Sequence, residues 1–171
     1  KAASEKLKSK EQTAALTDTQ LAENLALLET APFAHLHNHT QFSVLQSTAS
    51  ITDLIEATAK GQMPAVALTD HGNMMGAFQF VKEVSKYNKD AKAKNAKAQE
   101  EGLPAPLPII KPIIGCEFYI CENHLDRSKK DNGYQVVMLA KDKEGYQNLI
   151  KMASIAYTKG FYYVPRIDKK V

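Results

Sequence analysis

A chain of 171 residues, 44% hydrophobic and 24% charged, is long enough for one ordinary domain with a real core, which excludes a largely disordered protein. Its formal net charge of +3 permits contact with nucleic acid without demanding it. No apolar run approaches a membrane span and no signal peptide is visible, so no membrane partner is expected.

The chain starts at Lys1 rather than Met, which reads as a piece of something longer. Residues 1–15 are rich in Lys, Ala and Glu and are expected to fray or to form a solvated helix. Thr17 or Asp18 can then cap a helix carrying Leu21, Leu25 and Leu28 on one stripe, stopped by Pro32. Residues 1–31 are therefore expected as an appended helical extension, and 32–171 as the main domain.

After the apolar Pro32-Phe33-Ala34 comes His35-Leu36-His37-Asn38-His39-Thr40. Read as a strand, period-two geometry puts His35, His37 and His39 on one face. Imidazole is a common metal ligand, and three of the chain's five histidines fall at this spacing, so the run points to a metal or phosphate site. A polar loop follows from Gln41. Ser50 then caps a helix with Ile51, Leu54, Ile55 and Thr58 inward and Gly61 as its C′ residue. The run from Pro64 to Thr69 reads as a buried parallel strand ending in Thr69-Asp70-His71-Gly72.

A helix is expected from about Met75 to Asn88, with Phe78, Val81, Val84 and Ser85 facing in. Residues 89–108 extend it into solvent and then break into a Pro-punctuated loop. The lysines 82, 86, 89, 92, 94 and 97 could track a phosphate backbone, but interleaved acids favour a solvated face. Ile109 to Ile120 is strand-like and carries Glu117, a carboxylate that is costly in an apolar run unless paired or metal-bound. Cys116 and Cys121 lie on opposite faces of that strand, so they cannot bridge. Two free thiols suit the cytoplasm. A charged loop covers 122–133, Tyr134 to Ala140 is another strand, and Asp142 caps a helix to about Tyr157. Its apolar face is Tyr146, Leu149, Ile150, Met152, Ala153 and Ile155, and an aromatic, then basic, tail closes the chain.

The order strand, helix, strand, helix, strand, strand, helix implies an α/β fold with parallel pairing and right-handed crossovers. Chemistry in such folds gathers at the carboxyl ends of strands. The histidine run, Asp70-His71 and Glu117 all fall near strand ends, so three strands deliver ligand-type side chains to one rim.

Three stretches together carry a resemblance: His35 to Ser43 (His-Leu-His-Asn-His-Thr-Gln-Phe-Ser), Leu68 to Ala77 (Leu-Thr-Asp-His-Gly-Asn-Met-Met-Gly-Ala) and Lys111 to Tyr119 (Lys-Pro-Ile-Ile-Gly-Cys-Glu-Phe-Tyr). In this combination and order they are similar to the PHP (polymerase and histidinol phosphatase) domain family, in the branch at the N-terminus of bacterial DNA polymerase III α subunits. Ala140 to Leu149 and Gly160 to Asp168 resemble the same branch. The resemblance implies a partial (β/α) barrel of PHP type, distorted, TIM-like and truncated, whose rim can hold a zinc or manganese cluster. It places His37, His39, His71 and Glu117 as metal ligands, with His35 and Asp70 supporting them from behind.

Two positions depart from the family pattern. Gln46 stands where the branch has a ligating Asp, and Gln135 where it has a His; a neutral amide is a much poorer ligand for Zn²⁺. The four remaining groups suffice for one ion. The implied metal-dependent 3′–5′ exonuclease or phosphoesterase site is therefore expected to be degraded, with low metal occupancy. No residue here is assigned to polymerisation, and the Mg²⁺ of templated DNA synthesis belongs to the parent chain. The implied partners are the rest of the polymerase α chain, DNA, and proofreading or replisome subunits. Open strand edges would let the piece self-associate. Two other readings stand beside this one: a stand-alone PHP phosphatase acting on a small phosphomonoester, and a catalytically inert interaction module.

Overall fold

The computed structural model describes residues 17–171, so the expectation for residues 1–15 lies outside the described residues. The chain divides into two packing units, one ending at Pro32 and the other spanning Phe33–Val171. In the first, α1 (Asp18–Thr30) starts at a capping box. The Thr17 hydroxyl accepts from the Gln20 backbone N–H, and the Gln20 side chain accepts in return from the Thr17 N–H. Leu21, Leu25 and Leu28 are exposed.

The second unit is mixed α/β. In chain order it contains α2 (Ile51–Lys60), β1 (Ala65–Leu68), α3 (Ala77–Glu100), β2 (Lys111–Ile120), β3 (Tyr134–Leu139), α4 (Lys143–Thr158) and β4 (Arg166–Ile167). The central strand is β2. Its first half pairs in parallel with β1, in register Ala65 to Lys111 through Leu68 to Ile114. Its second half pairs with β3, antiparallel, and Tyr119-Ile120 also pair with β4, parallel. Among the described residues the sheet does not close into a barrel. The β2–β3 pair corrects the expectation of parallel pairing: the segment between them holds no helix, so the chain turns back instead of crossing over.

Period two along β2 sorts its side chains. Ile114, Cys116, Phe118 and Ile120 share one face, and this face carries the core. Ile114 packs on the cluster of Ile51, Ile55, Val66, Leu68, Phe80, Val84 and Ile110. Cys116, Phe118 and Ile120 pack with Leu149, Ala156 and Ile167. Glu117 and Tyr119 point to the other face. Phe80 and Phe118 are fully buried, and truncating either to Ala costs about 3–5 kcal/mol at such positions.

Three expectations need correcting. His35–Thr40 is no strand; only His35 makes a bridge, to Val66. Beyond it one backbone bond, from Thr69 N to Asn38 O at 3.0 Å, continues the contact, and side chains supply the rest. The Asn38 amide donates to Ala67 O (2.9 Å), and the Thr69 hydroxyl both accepts from Asn38 N (2.8 Å) and donates to Asn38 O (2.9 Å). Helix α3 continues three turns past Asn88, as the first half of 89–108 implied, but its buried stripe is Ala77, Phe80, Val84 and Ala91, while Phe78, Val81 and Ser85 are exposed. At the end of α2 the left-handed residue is Gln62 (φ 53°), one past Gly61. Ser50 and Asp142 cap their helices as their sequences imply. Both cysteines are free and buried. The α3 lysines are exposed, and no described helix is long and apolar enough to cross a membrane.

Candidate metal centre

Two segments meet over the open face of β2. The first is the loop from His35 to Ser47, held by Asp70, which is 1% exposed. Its carboxylate accepts from Thr40 N (2.6 Å), Thr40 Oγ1 (2.8 Å) and Ser43 Oγ (2.8 Å). The Ser43 hydroxyl in turn accepts from His71 N at 3.0 Å. Asp70 thus fixes the backbone next to His39 and two residues before Leu45, the turn residue with φ 66°. The second segment is the end of β1. His71 forms a parallel bridge with Glu117, and Gly72, at φ 68°, turns so that its N–H donates to Glu117 O at 2.7 Å. A Cβ at Gly72 would lie 2.9 Å from Pro165 Cγ, so this turn requires glycine on both counts.

His37 Nε2, His39 Nε2 and Glu117 Oε2 converge. The two nitrogens are 3.3 Å apart, and they lie 3.2 Å and 2.6 Å from the carboxylate oxygen. Tetrahedral coordination with bonds of about 2.0–2.2 Å separates neighbouring ligand atoms by roughly 3.3 Å. Two of the three separations match that edge, and the third is a short hydrogen bond. Two imidazoles and one carboxylate are also a donor set that zinc takes in catalytic sites, with a further position left open. The residues therefore fit a metal, and the three groups lie close enough to hold one. Exposure rises from Glu117 (side chain 7%) through His39 (26%) to His37 (52%), so the open side faces solvent past His37.

The electrostatics suit the same grouping. Burial pushes the Glu117 carboxyl up, but hydrogen bonds and charge from His37 and His39 outweigh it and hold it below the usual range. Burial pushes His71 below the ordinary imidazole value; Glu117 opposes that shift, and His39 and His37 add to it.

His71 lies beside this cluster rather than in it. Its Nδ1 is 2.7 Å from Gln46 Oε1 and its Nε2 is 3.2 Å from Gln135 Nε2. Its ring is parallel to that of His39, with centroids 5.9 Å apart, and lies 4.5 Å from that of Tyr119. Gln135 reaches it because β3 pairs Gln135 with Tyr119. His35 stands apart, its ring edge-on to Phe33 at 4.8 Å. The structure thus brings together three of the four ligands expected from sequence, puts the two glutamines on the fourth, and places Asp70 under the loop. A cavity of about 220 Å³ opens beside His71, lined by Phe42, Gln46, Met75, Tyr119, Tyr157 and Pro165.

A second polar cluster escaped the sequence reading. Arg166, fully buried, donates to the carbonyls of His124, Asp126, Asp131 and Gly160, pinning the loop between β2 and β3. Next to it His124 Nδ1 lies 2.7 Å from Asp168 Oδ2. The signal was an Arg and an Asp in the otherwise apolar stretch from Tyr162 to Ile167 and its end, but apart from Gly160 the partners sit 35 to 44 residues away.

Comparison with known proteins gives two results. A family model described as "PHP domain" matches residues 35–171. Among individual proteins, the chain is 42% identical over 138 residues to DNA polymerase III subunit alpha of Chlamydia trachomatis, covering 78% of this chain and 10% of that one. The same subunit of Deinococcus radiodurans is 42% identical over 150 residues, covering 81% and 10%, and that of Thermus aquaticus 42% over 146 residues, with the same coverage. The chain spans about a tenth of the length of the curated relatives it matches.

Proposed function

The chain belongs to the PHP domain family, and on that premise we propose that it serves as the PHP portion of a cytoplasmic replicative DNA polymerase chain, holding one transition metal and hydrolysing little or no phosphodiester. It is homologous to the N-terminal region of DNA polymerase III subunit alpha, and its relatives are parts of that larger chain. PHP domains are metal-dependent. The observation that carries the reading is the convergence of His37, His39 and Glu117 while Gln46 and Gln135 fill the surrounding positions with neutral amides.

A divalent metal bound there supplies a Lewis acid that activates water. What this chain provides is two imidazoles and one buried carboxylate, enough for a single ion. Zinc suits that set best, with manganese as the alternative. A second ion would need further anionic or imidazole ligands, and the amides of Gln46 and Gln135 are weak substitutes. The fold around the centre then acts as a scaffold for the rest of the polymerase chain, with Mg²⁺-dependent synthesis elsewhere in that chain. DNA and proofreading or replisome subunits are the further partners this role implies.

The test is to restore the two ligands. Gln46→Asp with Gln135→His should raise the bound metal measured by elemental analysis above that of the wild type, while wild-type phosphodiesterase activity with added Zn²⁺ or Mn²⁺ stays negligible. Robust wild-type hydrolysis, or a double variant that binds no more metal than the wild type, would contradict the reading.

A further inference from the structure

The bonds around His71 determine its chemistry. Gln46 meets Nδ1 with its carbonyl oxygen, which can only accept, so Nδ1 carries the proton. Gln135 meets Nε2 with its amide nitrogen, which can only donate, so Nε2 offers its lone pair to Gln135. Both bonds are satisfied together in one form of the ring, the neutral Nδ1–H tautomer. Either nitrogen could reach a metal only by giving up its glutamine.

The ring itself is wedged. It is 9% exposed, runs parallel to His39 at an interplanar angle of 4°, and rests against Tyr119. Offset parallel rings at such a separation are a favourable aromatic arrangement. The His71 backbone is in turn bridged to Glu117. His71 therefore touches two of the three convergent groups, one through its ring and one through its main chain.

We infer that Gln46 and Gln135 convert His71 from a metal ligand into a positioning residue, which holds the His39 imidazole toward Glu117 and leaves the metal to His37, His39 and Glu117. The inference deepens the single-metal reading above and rests on it for the identity of the three ligands. Because Gln46 and Gln135 both carry an amide, the imidazole between them is fully hydrogen-bonded without an ion, and the centre remains ordered with one metal fewer.

A ligand and a positioning ring respond differently to replacement by a ring without nitrogen. His71→Phe keeps the contact with His39, so zinc affinity in equilibrium dialysis should stay within about threefold of wild type. His71→Ala removes the contact and should weaken binding by about 10- to 100-fold, the range for groups that orient metal ligands. Thermal melts of both variants separate this from loss of fold, and the spectra of the unsubstituted protein do not depend on any variant folding.

In ¹⁵N-histidine-labelled protein at about pH 8, above the ordinary imidazole range, the metal-free spectrum should show His71 as the Nδ1–H tautomer. One equivalent of Zn²⁺ should shift the ring nitrogens of His37 and His39 and leave those of His71 in place. A zinc-induced shift of a His71 nitrogen, or a His71→Phe protein that folds but loses zinc by more than tenfold, would overturn the inference. So would an Nε2–H tautomer in the metal-free protein. A protein that takes up no zinc at all overturns the single-metal reading instead, and the metal-free spectrum still decides the tautomer.

Discussion

At the scale of single residues, two carboxylates organise two loops. Asp70 is satisfied by three donors from the loop that carries His39, so the candidate centre depends on a group that touches no metal. Asp168 does similar work for the loop between β2 and β3. Burial alone would raise its pKa, but hydrogen bonds from the His124 side chain and from the backbone N–H groups of Lys170 and His124, with the His124 charge, hold it down at about 2. A carboxyl depressed in the folded state contributes stability that is fully present above its unfolded pKa of about 4 and disappears as the pH falls through 2. The contribution is on the order of 2 kcal/mol. Urea unfolding of the wild type and Asp168→Asn should differ by about that amount at neutral pH and converge near pH 2. Equal stability at neutral pH would show that the pair contributes nothing net. His37, His39 and Glu117 were legible in the sequence because metal-type residues at short spacing, and a carboxylate in an apolar strand, each need an explanation. His124 was not, because its partner lies 44 residues away and only the fold brings them together.

Among the elements, those with local punctuation were readable and those shaped by tertiary hydrogen bonds were not. Thr17, Ser50 and Asp142 each sit before an apolar-periodic run and each caps a helix. Helix α3 was readable in its extent, but its inward face and the bonds that hold its far end were not. Its last three turns are anchored by Asn88 and Asn95, two turns apart. The Asn88 amide exchanges hydrogen bonds with Ile110 (2.7 and 2.8 Å), and that of Asn95 with Leu107 (2.8 and 3.1 Å). Seven helical residues rise about 10 Å, and three extended residues span about the same, so the spacings match. Asn88→Ala should cost about 2 kcal/mol, because Ile110 is buried and its N–H and C=O lose their partners; Asn95→Ala, at a more open position, should cost about 1 kcal/mol. Chemical denaturation with circular dichroism measures both, and an Asn88→Ala change below a few tenths of a kcal/mol would mean that solvent satisfies that backbone equally well. The misplaced inner stripe of α3 has a simple cause: Phe78 and Val81, three apart, share a helical face as readily as Phe80 and Val84, four apart, so periodicity alone could not choose between them.

For the whole molecule, the sequence carried the α/β order and the family resemblance, but not the antiparallel β2–β3 pair or the loop that replaces the first strand. The sheet that results is open, and β3 presents Tyr134 at 83% exposure with Val136 and Leu139 also exposed. An edge strand of that composition invites pairing. Sedimentation velocity on this chain should therefore show concentration-dependent association, and a well-behaved monomer at every concentration with a cooperative high-temperature melt would contradict that expectation. The proposed metal centre is tested most directly by equilibrium dialysis of the wild type and Glu117→Gln against Zn²⁺, with metal and protein both quantified. One ion per wild-type chain, lost on Glu117→Gln, is the predicted result, since two imidazoles and one carboxylate complete the protein's share of a single tetrahedral site. Two or more ions per wild-type chain, or an ion that survives Glu117→Gln, would contradict it.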